Sequence, residues 1–185
     1  MHMTLDCLPC FLGMALKGAR ELFPEELERQ EVLVKECATL LGTADLTGTS
    51  PELAGDMFAR IKELSGVADP YAAYKRRSNE RVLELLPELE RMVTEAPDRL
   101  AAALTLSIAG NWIDVGAGLA EDWEEALARE AYDATVIQAS PAYALFRDRL
   151  RFGTKIVILG DNAGEIGFDT VLVRVLAAKG CEVVY

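Results

Sequence analysis

The residues of this chain best suited to chemistry lie in one short run. Gly160-Asp161-Asn162-Ala163-Gly164-Glu165 follows the apolar stretch Ile156-Val157-Ile158-Leu159. Asp161 offers carboxylate oxygens and Asn162 an amide carbonyl oxygen, hard donors that suit Mg²⁺ or Mn²⁺. Behind them Ile166, Phe168, Val171, Leu172, Val175 and Leu176 recur at helical spacing. The first amides of that helix, at Ala163, Gly164 and Glu165, therefore aim at the same spot and can receive an anion. A cation-holding pair beside an anion-receiving helix end describes a site for a metal-bound phosphate ester. A plainer reading fits the same residues: Asp161 caps the helix and Gly164 permits a tight turn. Glu165 could bind substrate hydroxyls, act as a base, or simply satisfy the helix N-terminus.

Two further groups could serve such a site. Lys75, Ser78 and Asn79 stand at i, i+3 and i+4 and share one helical face. A lysine there could hold a phosphate as a point charge, or Lys75-Arg76-Arg77 could be a solvated face. Asn111 and Asp114 are three apart, facing one side of a helix end, where they could orient a water or a sugar hydroxyl, or form a capping pair.

Other chemistries are poorly supplied. Gly160, Gly164 and Gly167 do not have the GxGxxG spacing, and no Lys-Ser/Thr completes a P-loop. His2 is the one histidine, which weakens Ser/His/Asp, Cys/His and HExxH mechanisms. Cys7 and Cys10 form a CxxC pair, an incomplete zinc set with only Cys37, Cys181 and His2 to add. A redox role is conceivable, but this CxxC opens a helix rather than following a strand, and two buried structural thiols are the favoured reading.

These residues need elements to position them. Residues 1 to about 150 read as nearly all helix. Apolar spacing from Leu8 to Ala19 marks the first. A second is expected from Pro24 to Leu41, stopping at Gly42, and a third from an N-cap at Ser50 to Gly66. Asp69-Pro70 opens a longer stretch that Pro87 kinks or divides. Pro97-Asp98 opens a helix reaching Trp112, a short acidic helix covers about 121–130, and Ser140-Pro141 opens a last one ending at Gly153. Trp112 and Trp123 read as core or interface residues, and Tyr71 and Tyr74 as pocket candidates. At residue 154 the pattern changes. Lys155 to Leu159 is a β-branched run of the kind buried on both faces of a parallel sheet, and Glu182-Val183-Val184-Tyr185 begins a second strand. The expected organisation is a helical domain over 1–153 and the start of an α/β domain over 154–185. A parallel sheet of two strands is not a finished structure, so the chain is expected to be a fragment or its sheet to be completed by another chain, the alternative being a two-stranded appendage on a helical bundle.

The 185 residues are 51% hydrophobic and 26% charged, ordinary for a globular chain and enough for a core without staples. The net charge of −11 disfavours nucleic acid, because phosphate backbones require a Lys/Arg footprint. No apolar run is long enough to span a membrane, and sparse cysteines and an N-terminus unlike a secretory signal make a reducing cytoplasm the expected setting. A homo-oligomer is left open.

Gly160-Asp161-Asn162-Ala163-Gly164-Glu165 with Phe168-Asp169, Cys7-Leu8-Pro9-Cys10, Asp69-Pro70-Tyr71 with Lys75, Ser78 and Asn79, and Ala109-Gly110-Asn111 with Ile113-Asp114 occur here in order. Together they resemble the metal-dependent damage-control phosphatase family, formerly domain of unknown function 89, in its stand-alone microbial branch. The resemblance implies an α/β protein: a helical N-terminal part against a Rossmann-like three-layer α/β/α part with parallel strands. It implies Asp161 and Asn162 as metal ligands, completed by an Asp beyond residue 185. The activity it implies is hydrolysis of small phosphorylated metabolites such as sugar phosphates with Mg, Mn, Co or Ni. In that reading Lys75, Asn79, Gly164 and Glu165 bind substrate, and Asn111 and Asp114 position water or substrate beside Asp161. The nucleophile, water or a carboxylate, stays open. Two alternatives remain: a non-catalytic metal-binding or metabolite-sensing module, and methyl transfer to protein carboxylates, for which no methyl-donor motif is present.

Overall fold

The computed structural model describes residues 3–110 and 134–185. Asn111, Asp114, Trp112, Trp123 and the acidic helix expected near 121–130 lie outside these. By packing, the chain forms two compact units, Met1–Ala72 and Ala73–Tyr185.

The first unit holds three helices: α1 (Cys7–Leu22), α2 (Leu27–Gly42) and α3 (Ser50–Ser65). Each buries one stripe, and Phe11, Ala15, Leu33, Cys37, Met57 and Ile61 meet in a common core. Helix α2 begins later than Pro24. Glu26 N–H bonds the Phe23 carbonyl at 3.1 Å, so Pro24 occupies a turn position that its fixed φ favours. The cap of α3 is Thr49, not Ser50. Glu52 reaches back to accept the Thr49 N–H and hydroxyl, both at 2.8 Å, which makes a capping box. The helix ends at Gly66 in the left-handed conformation, φ 71°.

The second unit contains α4 (Ala72–Glu95), whose first residue closes the preceding unit, then α5 (Arg99–Gly110), α6 (Ala134–Ala139), α7 (Pro141–Arg149), β1 (Lys155–Val157), α8 (Glu165–Ala178) and β2 (Glu182–Val184). Pro87 does not divide α4, which runs on through it. The carbonyl that Pro87 leaves without its helical donor belongs to Leu83, a residue that is 61% exposed. Asp98 caps α5 by accepting the Leu100 and Ala101 amides at 3.1 Å. Helix α7 stops at Arg149 rather than Gly153. The chain there turns into the sheet, with Thr154 N–H on the Arg151 carbonyl at 2.9 Å and Gly153 N–H on the Gly180 carbonyl at 2.8 Å.

The strands pair in parallel, Lys155 with Glu182, Ile156 with Val183 and Val157 with Val184. The class is α/β with a mainly helical content, as read from the sequence. Burial on both strand faces is not observed. Ile156, Ile158 and Val183 pack on the core of Val82, Leu89, Leu106, Phe168, Leu172 and Leu176. Val157, Leu159 and Val184 are 67%, 91% and 62% exposed, because no described element covers that side. The strand start at 154 marks a change of element type, whereas the packing boundary falls at 72/73.

Candidate functional site

The site is assembled where β1 gives way to α8. Ile158 still bonds the Val184 carbonyl through its N–H, at 2.9 Å. The chain then leaves the sheet, and Gly160, Asp161 and Asn162 stand exposed at its carboxyl end, the place where open α/β sheets bind ligands.

Asn162 is oriented by Glu165. Its backbone N–H and its Nδ2 donate to the two Glu165 oxygens at 3.3 and 3.1 Å. Committing Nδ2 this way turns the carbonyl oxygen Oδ1 away from Glu165. Asp161 adds a carboxylate next to it. The pair fits the hard oxygen chemistry of Mg²⁺ or Mn²⁺, ions that keep several waters and accept few protein ligands. Among the described residues, no group of three His, Cys, Asp or Glu is arranged to hold a metal. Glu165 thus serves the loop: its partner is the neighbouring candidate ligand.

Gly164 is the N-cap of α8 at φ 90°, a conformation that favours glycine. A Cβ there would lie 3.3 Å from Ser78 Cβ. Its N–H donates to Asn79 Oδ1 at 2.8 Å. The Gly164 amide is therefore committed to Asn79 and not offered to an anion, and Asn79 acts as a cap from α4 onto α8. Ser78, 1% exposed, packs beside it with a hydroxyl that has no hydrogen-bond partner among the described residues. Lys75 stands one turn earlier on α4, exposed. Farther along, a Cβ at Gly167 would fall 2.1 Å from Val82 Cγ1, so α4 and α8 touch backbone to side chain. Gly110, the residue before Asn111, lies against Phe168, where a Cβ would approach the ring at 3.0 Å.

Sequence reasoning missed Tyr185, Asp169 and Ser107. Tyr185 donates to Asp169 Oδ2 at 2.8 Å, and Ser107 Oγ donates to Asp169 Oδ1. Asp169 sat in a recognisable Phe168-Asp169 pair, but nothing in spacing connects it to Tyr185 or to α5. Burial first, then the Asp169 bond and the charges of Asp169, Glu165 and Asp161, push the Tyr185 hydroxyl pKa up.

The other sequence candidates fall elsewhere. Cys10 is exposed and Cys7 half-buried, which corrects the reading of two buried thiols; both are free. Cys7 Sγ accepts the Thr4 N–H at 3.4 Å, a contact at the mouth of α1. Tyr71 belongs to the first unit, edge-on to Phe58 at 5.2 Å between centroids and against Gly18.

Residues 3–185 match the family described as damage-control phosphatase ARMT1-like domain. A damage-control phosphatase of Archaeoglobus fulgidus is 29% identical over 98% of this chain and 62% of its own length. An uncharacterised protein of Methanocaldococcus jannaschii is 30% identical over 91% of this chain and 56% of its own. The crystal structure of a DUF89 family protein from Pyrococcus horikoshii superposes with a TM-score of 0.71 at 21% identity, covering 99% of this chain and 63% of that one. That likeness shows the fold. The chain spans about 60% of the length of these relatives.

Proposed function

Because the chain belongs to the damage-control phosphatase ARMT1-like domain family, we propose that it carries part of a divalent-metal-dependent phosphatase site acting on small phosphorylated metabolites, sugar phosphates foremost. The observation that supports this most is the loop after β1: Asp161 and Asn162 stand together at the strand end, and Glu165 fixes the Asn162 amide. Asp161 and Asn162 Oδ1 would hold Mg²⁺, Mn²⁺, Co²⁺ or Ni²⁺. A bound ion of this kind polarises a phosphoryl oxygen and acidifies a water. The N-terminal end of α8 favours negative charge on the phosphoryl group, and Lys75, one turn before Asn79 on α4, would add a positive charge. Asn79 supports this end by capping Gly164. Asn111 and Asp114 are assigned to water or substrate on the family resemblance alone. Four free cysteines and the lack of a membrane-length apolar helix among the described residues accord with a cytoplasmic setting.

The test is phosphate release from a panel of sugar phosphates with each metal in turn. Metal-dependent release by the wild type, abolished in Asp161→Asn, supports the reading. Release that is unaffected by Asp161→Asn, or by removing metal, overturns it. One observation favours a second reading, a metal-binding module without turnover: no complete ligand trio occurs among the described residues. Metal binding with no phosphate release from any ester supports that alternative.

A further inference from the structure

We infer that Tyr185 is a positioning residue for the loop bearing Asp161 and Asn162, acting through Gly160 on one side and Asp169 on the other. The inference rests on reading Asp161 and Asn162 as cation ligands.

The loop after β1 has few contacts that could fix its course, since Gly160, Asp161 and Asn162 are all exposed. Besides the Asn162 bonds to Glu165, the close approach is at Gly160. A Cβ there would lie 2.0 Å from the Tyr185 hydroxyl, 2.4 Å from Cζ and 2.6 Å from Cε1. The ring therefore occupies the space where any other residue would place its side chain. Tyr185 is itself 52% exposed, so core packing does not explain this seat. The hydroxyl does: it donates to Asp169 Oδ2 at 2.8 Å.

Asp169 is 8% exposed and lies on the inner face of α8, where a carboxylate is costly unless its oxygens are bonded. Ser107 of α5 supplies one donor and Tyr185 the other. The chain of contacts runs Ser107, Asp169, Tyr185, Gly160 and joins α5, α8, the end of β2 and the residue next to Asp161. Glu165 orients Asn162 from α8. Tyr185 holds the preceding residue from the sheet, so the two candidate ligands are fixed from both sides. Groups one layer out from ligands commonly set metal affinity in this way.

The experiment compares wild type, Tyr185→Phe and Ser107→Ala in the full chain. Tyr185→Phe keeps the ring and removes the bond to Asp169. Ser107→Ala removes the other donor to the same carboxylate and leaves Gly160 untouched, so it controls for general destabilisation. Hydrogen exchange of residues 159–163 reads the loop without metal, and Mn²⁺ titration reads the consequence. Tyr185→Phe is expected to speed exchange in that segment about tenfold and weaken Mn²⁺ binding about five- to tenfold, the scale of one lost supporting bond. Ser107→Ala, one contact further from the loop, is expected to move both by clearly less than Tyr185→Phe. Equal effects from the two variants, or an unchanged Tyr185→Phe in either readout against a wild type that binds Mn²⁺, would overturn the positioning role. A wild type that binds no Mn²⁺ while the exchange difference holds would instead overturn the metal reading and support the loop's dependence on Tyr185.

Discussion

Asn79 offers the sharpest separation between a substrate contact and a structural cap. Its Oδ1 accepts the Gly164 N–H at 2.8 Å. Gly164 is buried, so Asn79→Ala leaves a backbone donor without acceptor or water. An orphaned buried donor costs about 1–3 kcal/mol, a sizeable share of the roughly 5–15 kcal/mol that holds an ordinary domain together. Asn79→Asp keeps an acceptor oxygen at the same atom, and its charge faces the favourable end of α8. Stability should then fall by under about 0.5 kcal/mol. Urea unfolding followed by far-ultraviolet circular dichroism, with exchange of the Gly164 amide as the local reporter, separates the two. The expected order is wild type close to Asn79→Asp, with Asn79→Ala well below and its Gly164 amide exposed. An Asn79→Ala variant as stable as wild type, or an Asn79→Asp variant as damaged as the alanine, would refute the capping assignment and return Asn79 to the ligand-binding group.

Three other outcomes follow from the packing. Gly167→Ala sets a methyl 2.1 Å from Val82 Cγ1, roughly 1.5 Å inside a normal carbon contact. It should cost about 1–3 kcal/mol, partly relieved by adding Val82→Ala, as denaturant midpoints will show. Tyr71 has a buried hydroxyl without a partner among the described residues, and burial first, then the charges of Cys37 and Glu21, push its pKa up to about 12. Its folded value lies above the ordinary 10.0, so the stability it lends is complete below that pH and lost as pH climbs toward 12. Alkaline melting curves should show this loss in wild type and a smaller one in Tyr71→Phe. Burial raises the Asp98 pKa, but the Tyr143 hydroxyl and the Ala101 and Leu100 amides outweigh it and hold the carboxyl below its ordinary 3.8. That contribution is full above the unfolded value and disappears as pH falls through the folded one. Asp98→Ala should cost about 1–2 kcal/mol at neutral pH, and acid titration of both proteins should show the difference shrinking once Asp98 protonates.

Much of this molecule was legible in the order of residues because it is locally encoded. The apolar spacing of α1 and α8, the Gly66 stop of α3, the Pro97-Asp98 opening of α5 and the β1-loop-α8-β2 succession are set by neighbours within a few positions. The errors fall where a competing local bond or solvent decides. Pro24 and Ser50 each carry a helix-start signal, yet a turn at Phe23 and the Glu52 reach to Thr49 shift the true starts. Pro87 reads as disruptive because the pattern does not show that Leu83, whose carbonyl loses its donor, is exposed. In the site, Asp161, Asn162 and Gly164 stand out by type and spacing. The Asn79 bond to Gly164 spans 85 positions and the Ser107 bond to Asp169 spans 62. No periodicity carries such information. Tyr185 is a further case, since its importance comes from the empty space at Gly160 rather than from its own neighbours.

Direct Mn²⁺ binding, followed by the electron paramagnetic resonance of the free ion, tests the central assignment most simply. One ion per chain, lost in both Asp161→Ala and Asn162→Ala while the far-ultraviolet spectrum is preserved, is the result expected. Undiminished binding in both variants would contradict it and move any metal to another part of the protein.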